Sequence, residues 1–201
     1  MPLTREAIVD AAMGILREYG LADLSMRRLA RDLDVQPGAL YWHVKNKQEL
    51  LTVLAGLILA PVDGRAAATA RDLALAVREA LLSVRDGAEV VALAHALKPD
   101  SPPPLLGFGA LLAGQGLPAP VAEGAGRALV HYVLGSAMEE QTRAGFSRAG
   151  LLDAVDAPDG SSAGEVFVLG LELFLAGVPG LAATSAPAPQ CPPESPGPRR
   201  R

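Results

Sequence analysis

The chain is 201 residues long, half apolar and 20% charged, with one cysteine and a formal charge of −4. That composition excludes a disordered chain, and the single cysteine excludes an internal disulfide, which fits a reducing cytoplasm. An acidic balance taken whole argues against a nucleic-acid partner, because phosphate binding rests on Lys and Arg. The charge is divided, however: Arg27, Arg28, Arg31, Lys45 and Lys47 stand against Asp32 and Asp34 between Leu24 and Gln48, a net of +3, whereas residues 61–180 carry −6. A small basic window thus precedes an acidic body.

The hydrophobic pattern is helical from end to end. Ile8, Ala11, Ala12, Ile15, Leu16 and Tyr19 recur at helical spacing, with Thr4 placed to cap the start and Gly20 the end. Ser25 caps a second helix about two turns long, which buries Leu29, Ala30 and Leu33 and turns Arg27, Arg28 and Arg31 toward solvent. Asp34 and Val35 make a brief turn into a third helix, Gln36–Val44, with Pro37 in its first turn, where a missing N–H costs nothing. Lys45 and Asn46 break the run before a helix from Lys47 to about Ala60, ended by Pro61.

Helices follow over Arg71–Val84, Gly87–Leu97, Leu105–Ala113 and from Pro118 to about Ala144. Gly145–Ser162 reads as a mobile connection, Ala163–Val178 as an almost wholly apolar helix, and seven prolines in the 23 residues from Pro179 predict a disordered tail. The expected fold is all-α. It comprises an N-terminal three-helix helix-turn-helix DNA-binding domain (1–46), a connecting helix (47–61), a C-terminal helical ligand-binding and dimerisation bundle (62–178) and the tail (179–201). The N-terminus shows no basic n-region followed by an apolar run and a small-residue cleavage site, and Leu50–Ala60, the longest membrane candidate in this reading, has only 11 residues where a bilayer needs roughly 20, so neither a leader nor a membrane partner is expected.

Two short helices joined by a tight turn form a candidate helix-turn-helix. Gln36, Pro37, Gly38 and Ala39 leave room for close approach to base edges; Gln36 suits adenine, and Ala39 or the Trp42 edge suits a thymine methyl. Tyr41, Trp42 and His43 follow one another without an apolar spacer, so part of that cluster must face outward, while Leu40 packs the bundle. Tyr41 and His43 can donate to phosphate, and Lys45 and Lys47, with Arg27 and Arg28 on the preceding helix, are placed for backbone contacts.

The run from Leu24 to Leu51, and above all Leu-Tyr-Trp-His-Val-Lys-Asn-Lys at 40–47, resembles the DNA-binding domain of the tetracycline-repressor (TetR) family. Three later segments, Arg85–Ala88, His131–Gln141 and Gly164–Glu172, resemble in order the C-terminal domain of the family members that answer to tetracycline. The resemblance implies a cytoplasmic repressor that binds double-stranded operator DNA and releases it on binding a small effector between its helices. Glu139 falls on a carboxylate that reaches a drug-bound metal through water, and His131 on a pocket position. Asp63 and Leu73 replace the histidine and asparagine that grip the drug, and Val91 replaces the metal-ligating histidine, with His95 four residues on. The implied effector is therefore hydrophobic and of unknown identity.

Candidate ligand-lining residues are Val91, His95, Phe108, Leu112, His131, Gly135, Met138 and Glu139. The apolar members serve equally as core, and His131 with Glu139 offers too few ligands for a metal, so neither metal nor cofactor is expected. The apolar helix Ala163–Val178 needs burial on more than one side. Paired with the helix from Pro118 it suits an isologous four-helix homodimer interface, with Ala128, Tyr132, Phe167, Leu171 and Phe174 as contact residues. Three histidines without a His-Glu-x-x-His, nucleophile elbow or phosphate loop leave no catalytic set, so no enzyme is expected. The alternative is an effector-independent DNA-binding or protein-interaction helical module.

Overall fold

The computed structural model describes residues 3–64, 66–100, 102–151 and 162–185, and every regular element among them is helical. The head comprises α1 (Arg5–Tyr19), a 3₁₀ turn (Leu21–Asp23), α2 (Met26–Asp32) and α3 (Pro37–Leu40); α4 (Lys47–Ile58) follows. The body comprises α5 (Ala70–Leu82), α6 (Gly87–Leu97), α7 (Pro103–Ala113), α8 (Ala119–Arg148), α9 (Ala163–Ala176) and α10 (Val178–Ser185). One continuous apolar core runs from Ile8 in the head to Val178, without a fully buried polar residue among those described.

The starts of the head helices follow from side-chain caps. Thr4 accepts from the Ala7 N–H, Ser25 from that of Arg28 and Asn46 from that of Glu49, at 2.8–3.2 Å. Glu49 in turn accepts from the Lys45 N–H at 2.8 Å and pairs with Arg5 at 2.8 Å, fixing where α4 leaves the recognition segment. Between α2 and α3 the chain turns at Asp34 in the left-handed region, φ +52°, and the Val35 N–H reaches back to the Ala30 carbonyl.

Three boundaries differ from expectation by more than two residues. The third helix stops at Leu40 instead of Val44, because the Leu40 carbonyl takes both the His43 and Val44 N–H groups, a tight turn that returns Val44 to the core. Helix α8 runs on to Arg148, past Gly145, and ends where Gly150 turns left-handed at φ +68° and the Leu151 N–H bonds the Phe146 carbonyl. The rest of the expected mobile connection, 152–161, lies outside the described residues. So does 186–201 of the expected tail, whose first residues are instead helical: Pro179 sits in the first turn of α10, where proline is tolerated.

Head and body are joined by packing of α4 on α6 and by a polar contact at the end of α1. Arg85 donates to the Glu18 carbonyl at 2.9 Å and Asp86 accepts from the Leu21 N–H at 2.8 Å. Gly20 lies at φ +91°, and a Cβ there would collide with the Asp86 carboxylate. Behind that contact, Gln141 of α8 donates to the Leu81 and Val84 carbonyls and accepts from the Ala88 N–H, at 2.8–3.0 Å, so one side chain satisfies the end of α5 and the start of α6. Helices α7 and α8 approach at Gly109 and Gly126, where a Cβ on Gly126 would sit 2.7 Å from the Gly109 nitrogen.

Candidate nucleic-acid interface and ligand groove

The segment from Gln36 to Lys47 is held by two buried anchors, Leu40 and Val44, that leave the intervening side chains on the outside. Trp42 is 90% exposed and Tyr41 51%, while His43 is half-buried. Gln36, Pro37 and Gly38 are exposed, Ala39 is half-buried, and a Cβ on Gly38 would meet nothing within 4 Å. Lys45 is exposed and Lys47 half-buried at the start of α4. An open, small-residue surface flanked by two aromatic rings and two lysines thus stands clear of the core.

The arginines of α2 divide. Arg27 is exposed, but Arg28 turns inward instead of toward solvent. Its guanidinium lies 3.8 Å over the Tyr19 ring, 2.5 Å from Asp23 and 3.6 Å from Asp32, close enough to neutralise it locally. The Tyr19 phenol is pushed up from its ordinary value, first by its hydrogen bond to Glu18 and next by that carboxylate's charge, with Arg28 pulling the other way. Arg28 is a brace between α1 and α2. Of the basic window, Arg27, Arg31 and Lys45 remain outward.

The expected ligand-lining residues are separated by the fold. Val91, Phe108 and Leu112 are wholly buried core side chains, and His95 is half-buried on α6. Gly135, Met138 and Glu139 line a groove of about 480 Å³ on the outer side of α8, together with Thr142, Arg143 and Phe146. His131 is exposed one turn before it, outside the lining. The groove is amphipathic: Met138 and Phe146 supply apolar surface, and Glu139 and Arg143 face each other at 3.7 Å. The three added residues continue the three- and four-residue spacing from Gly135, a signal present in the sequence but not followed past Glu139.

Helix α9 leans on the body through a narrow seam. Phe167 and Leu171 are buried in the chain's own core, Phe174 is half-buried, and the Tyr132 ring stacks on Phe167 at 5.4 Å while its hydroxyl donates to the Phe167 carbonyl at 2.7 Å. Arg78 pairs with Glu140, and Arg71 with Glu172, each at 2.5 Å. Four of the expected contact residues therefore serve this internal seam; of the five, only Ala128 is exposed. The unpartnered face carries Val166, Leu169 and Leu173, 52%, 61% and 68% exposed. Because α9 is apolar except along the side of Glu165 and Glu172, periodicity did not separate the seam from the free face. Ala163–Ala183, 21 residues and only 17% buried, is long and apolar enough to cross a membrane by length and composition, which corrects the choice of Leu50–Ala60 as the longest such stretch. It carries Glu172, however, in its ion pair with Arg71.

Comparison with known proteins matches both halves. Residues 8–54 fit the family model for bacterial regulatory proteins of the tetR family, and residues 60–151 fit that of the tetracyclin repressor-like C-terminal domain. The class A tetracycline repressor from transposon 1721 of Escherichia coli is 32% identical over 201 residues, covering 88% of this chain and 90% of that one. The class D repressor, also of Escherichia coli, is 44% identical over 96 residues, and the match spans less than half of either protein, 44% of each. Among solved structures, Mycobacterium smegmatis BioQ superposes with a TM-score of 0.78 at 38% identity, covering 90% of this chain and 99% of its own. BioQ with its natural double-stranded DNA operator gives 0.71 at 34%, covering 88% and 98%. A TetR variant from Acinetobacter baumannii in complex with minocycline gives 0.70 at 30%, covering 90% and 99%.

Proposed function

The chain belongs to the TetR family of bacterial regulatory proteins, and from that premise we propose that it is a homodimeric repressor of transcription. It binds a palindromic operator in the cytoplasm and is released from it by a small hydrophobic effector. The observation that carries the DNA reading is the 90% exposure of Trp42, the chain's one tryptophan, beside Tyr41 on a short segment otherwise anchored to the core. A large ring left in water beside outward cations suits a surface completed by a partner, and that partner is DNA. In this reading residues 1–46 are the reading head, 47–61 the connector and 62–178 the body. Gln36, Pro37, Gly38, Ala39 and Trp42 meet base edges, and Arg27, Tyr41, His43, Lys45 and Lys47 hold the phosphates.

Release follows from connectivity. Helix α6 packs on both α4 and α8, so an effector seated against Gly135, Met138 and Glu139 acts on α4 through a single intervening helix. Moving α4 tilts the recognition segment and changes the spacing of the two heads, about 34–36 Å on successive turns of the duplex. Emptying a nearly full operator requires the effector to favour one state by about 5.5 kcal/mol. The test is a gel shift on sites enriched from a random pool: wild type binds them tightly, and Tyr41→Ala weakens binding about tenfold or more, a loss on the order of 1.4 kcal/mol. Wild-type affinity no better than for random DNA would sink the reading. The complete burial of Val91, Phe108 and Leu112 favours a second one, an effector-independent DNA-binding module. A thermal-shift screen of hydrophobic compounds, scored by operator release, separates the two.

A further inference from the structure

A second cavity, of about 270 Å³, lies away from the α8 groove, at the junction of head and body. Its apolar lining comes from three places: Met13 of α1, Leu57 and Ile58 of α4, and Val84 beyond the end of α5. Met13, Ile58 and Val84 are buried, but Leu57 stands 46% exposed at the cavity, an apolar side chain left nearly half open to solvent. Asp10 and Arg17 also belong to the lining. Seven residues apart on α1, they lie on one side of the helix about 10 Å apart along its axis. Among the described residues neither is engaged in an ion pair.

An apolar trough with a carboxylate at one end and a guanidinium at the other is the complement of an extended zwitterion. We propose that this cleft is a second ligand site, taking a small molecule whose carboxylate pairs with Arg17, whose ammonium pairs with Asp10, and whose apolar middle covers Leu57. The volume is that of about nine waters and just below the roughly 300 Å³ at which drug-sized pockets begin, so the ligand is a short peptide or an ω-amino carboxylate, not a polycyclic drug. The guanidinium fork can hold a carboxylate by two parallel donors. A molecule seated there touches α1, α4 and the α5–α6 corner at once, so it binds one arrangement of head and body better than others. Operator affinity and ligand affinity must then change by the same factor.

The full-length protein is titrated calorimetrically with 8-aminooctanoate, octanoate, octylamine and trialanine, with and without operator. The ω-amino acid or the peptide binds about two- to fivefold more tightly than either singly charged chain, and the stronger of the two identifies the ligand class. Asp10→Asn and Arg17→Gln each weaken it by about two- to fivefold, the range for exposed pairs. Leu57→Trp, which fills the opening, removes binding while thermal unfolding shows the fold intact. Equal affinities for octanoate and 8-aminooctanoate, no binding at millimolar ligand, or affinity untouched by the Asp10 and Arg17 substitutions would overturn the site; the last result would move binding to the α8 groove. No change of operator affinity at saturation would refute the coupling. Operator binding without ligand reads the DNA function separately, so failure of one is not failure of the other.

Discussion

Arg27 and Arg28 are adjacent and chemically identical, yet they have opposite jobs. Arg28 is held over Tyr19 and between Asp23 and Asp32, whereas Arg27 points into solvent beside the recognition segment. Arg28→Ala is therefore expected to lower unfolding stability by about 1–2 kcal/mol, the sum of a cation–π contact and partly exposed ion pairs. Arg27→Ala is expected to change stability by less than about 0.5 kcal/mol, as surface substitutions do, while weakening operator binding and its salt dependence. Urea denaturation and a gel shift at two salt concentrations separate the two roles. The sequence shows the spacing of Arg28 to Asp32, four residues on, but Tyr19 and Asp23 reach Arg28 only through the crossing of α1 and α2. Hence the inward turn of this one arginine was not legible. That part of the Tyr41–His43 run faces outward was legible, since three consecutive large side chains cannot all be buried, but not that Trp42 is the most exposed of them.

At the scale of elements, close packing overrides helix propensity where α7 meets α8. Gly124 and Gly126 are two residues apart in α8, but a Cβ on Gly124 meets nothing within 4 Å, while one on Gly126 meets the backbone of Gly109 at 2.7 and 3.0 Å. Gly124→Ala is expected to stabilise by about 0.5–1 kcal/mol through the lower conformational freedom of the unfolded chain. Gly126→Ala is expected to destabilise by about 1–3 kcal/mol, because backbone cannot yield as a side chain can. Denaturation midpoints at unchanged slope read both. Helix identity was legible for every α-helix up to α9, since periodicity, caps and prolines mark them, but not for α10, which lies in the expected disordered tail. Helix ends were less so: α3 stops early because Leu40 and Val44 must both reach the core, α8 continues through a glycine, and α10 forms across Pro179. Each of those ends is decided by what lies opposite in space.

Across the whole molecule, the division of charge and the free apolar face act together. The acidic body is repelled by the duplex that the basic window approaches, which orients the protein head-first on DNA. The face of α9 bearing Val166, Leu169 and Leu173 is then left on the body, away from the head's reading surface. Burying a leucine contributes about 1.5–3 kcal/mol, and at a two-fold interface each substitution counts twice. If the proposed homodimer forms through this face, Leu173→Asp raises its dissociation constant by roughly 10²-fold or more, read by sedimentation equilibrium, and reduces operator affinity with the head still folded. The helical fold class was legible in the sequence from apolar periodicity, whereas the reading head was legible through the resemblance of residues 40–47 to the TetR-family DNA-binding domain. The seam of α9 was not, because apolar residues cover every side of that helix but the one of Glu165 and Glu172, and do not separate seam from free face. In the proposed homodimer, with the free face of α9 covered by a second copy, operator occupancy at low expression would rise with the square of protomer concentration. Halving the gene dose then cuts repression about fourfold in that range, which makes the control a threshold in protein number instead of a proportional response.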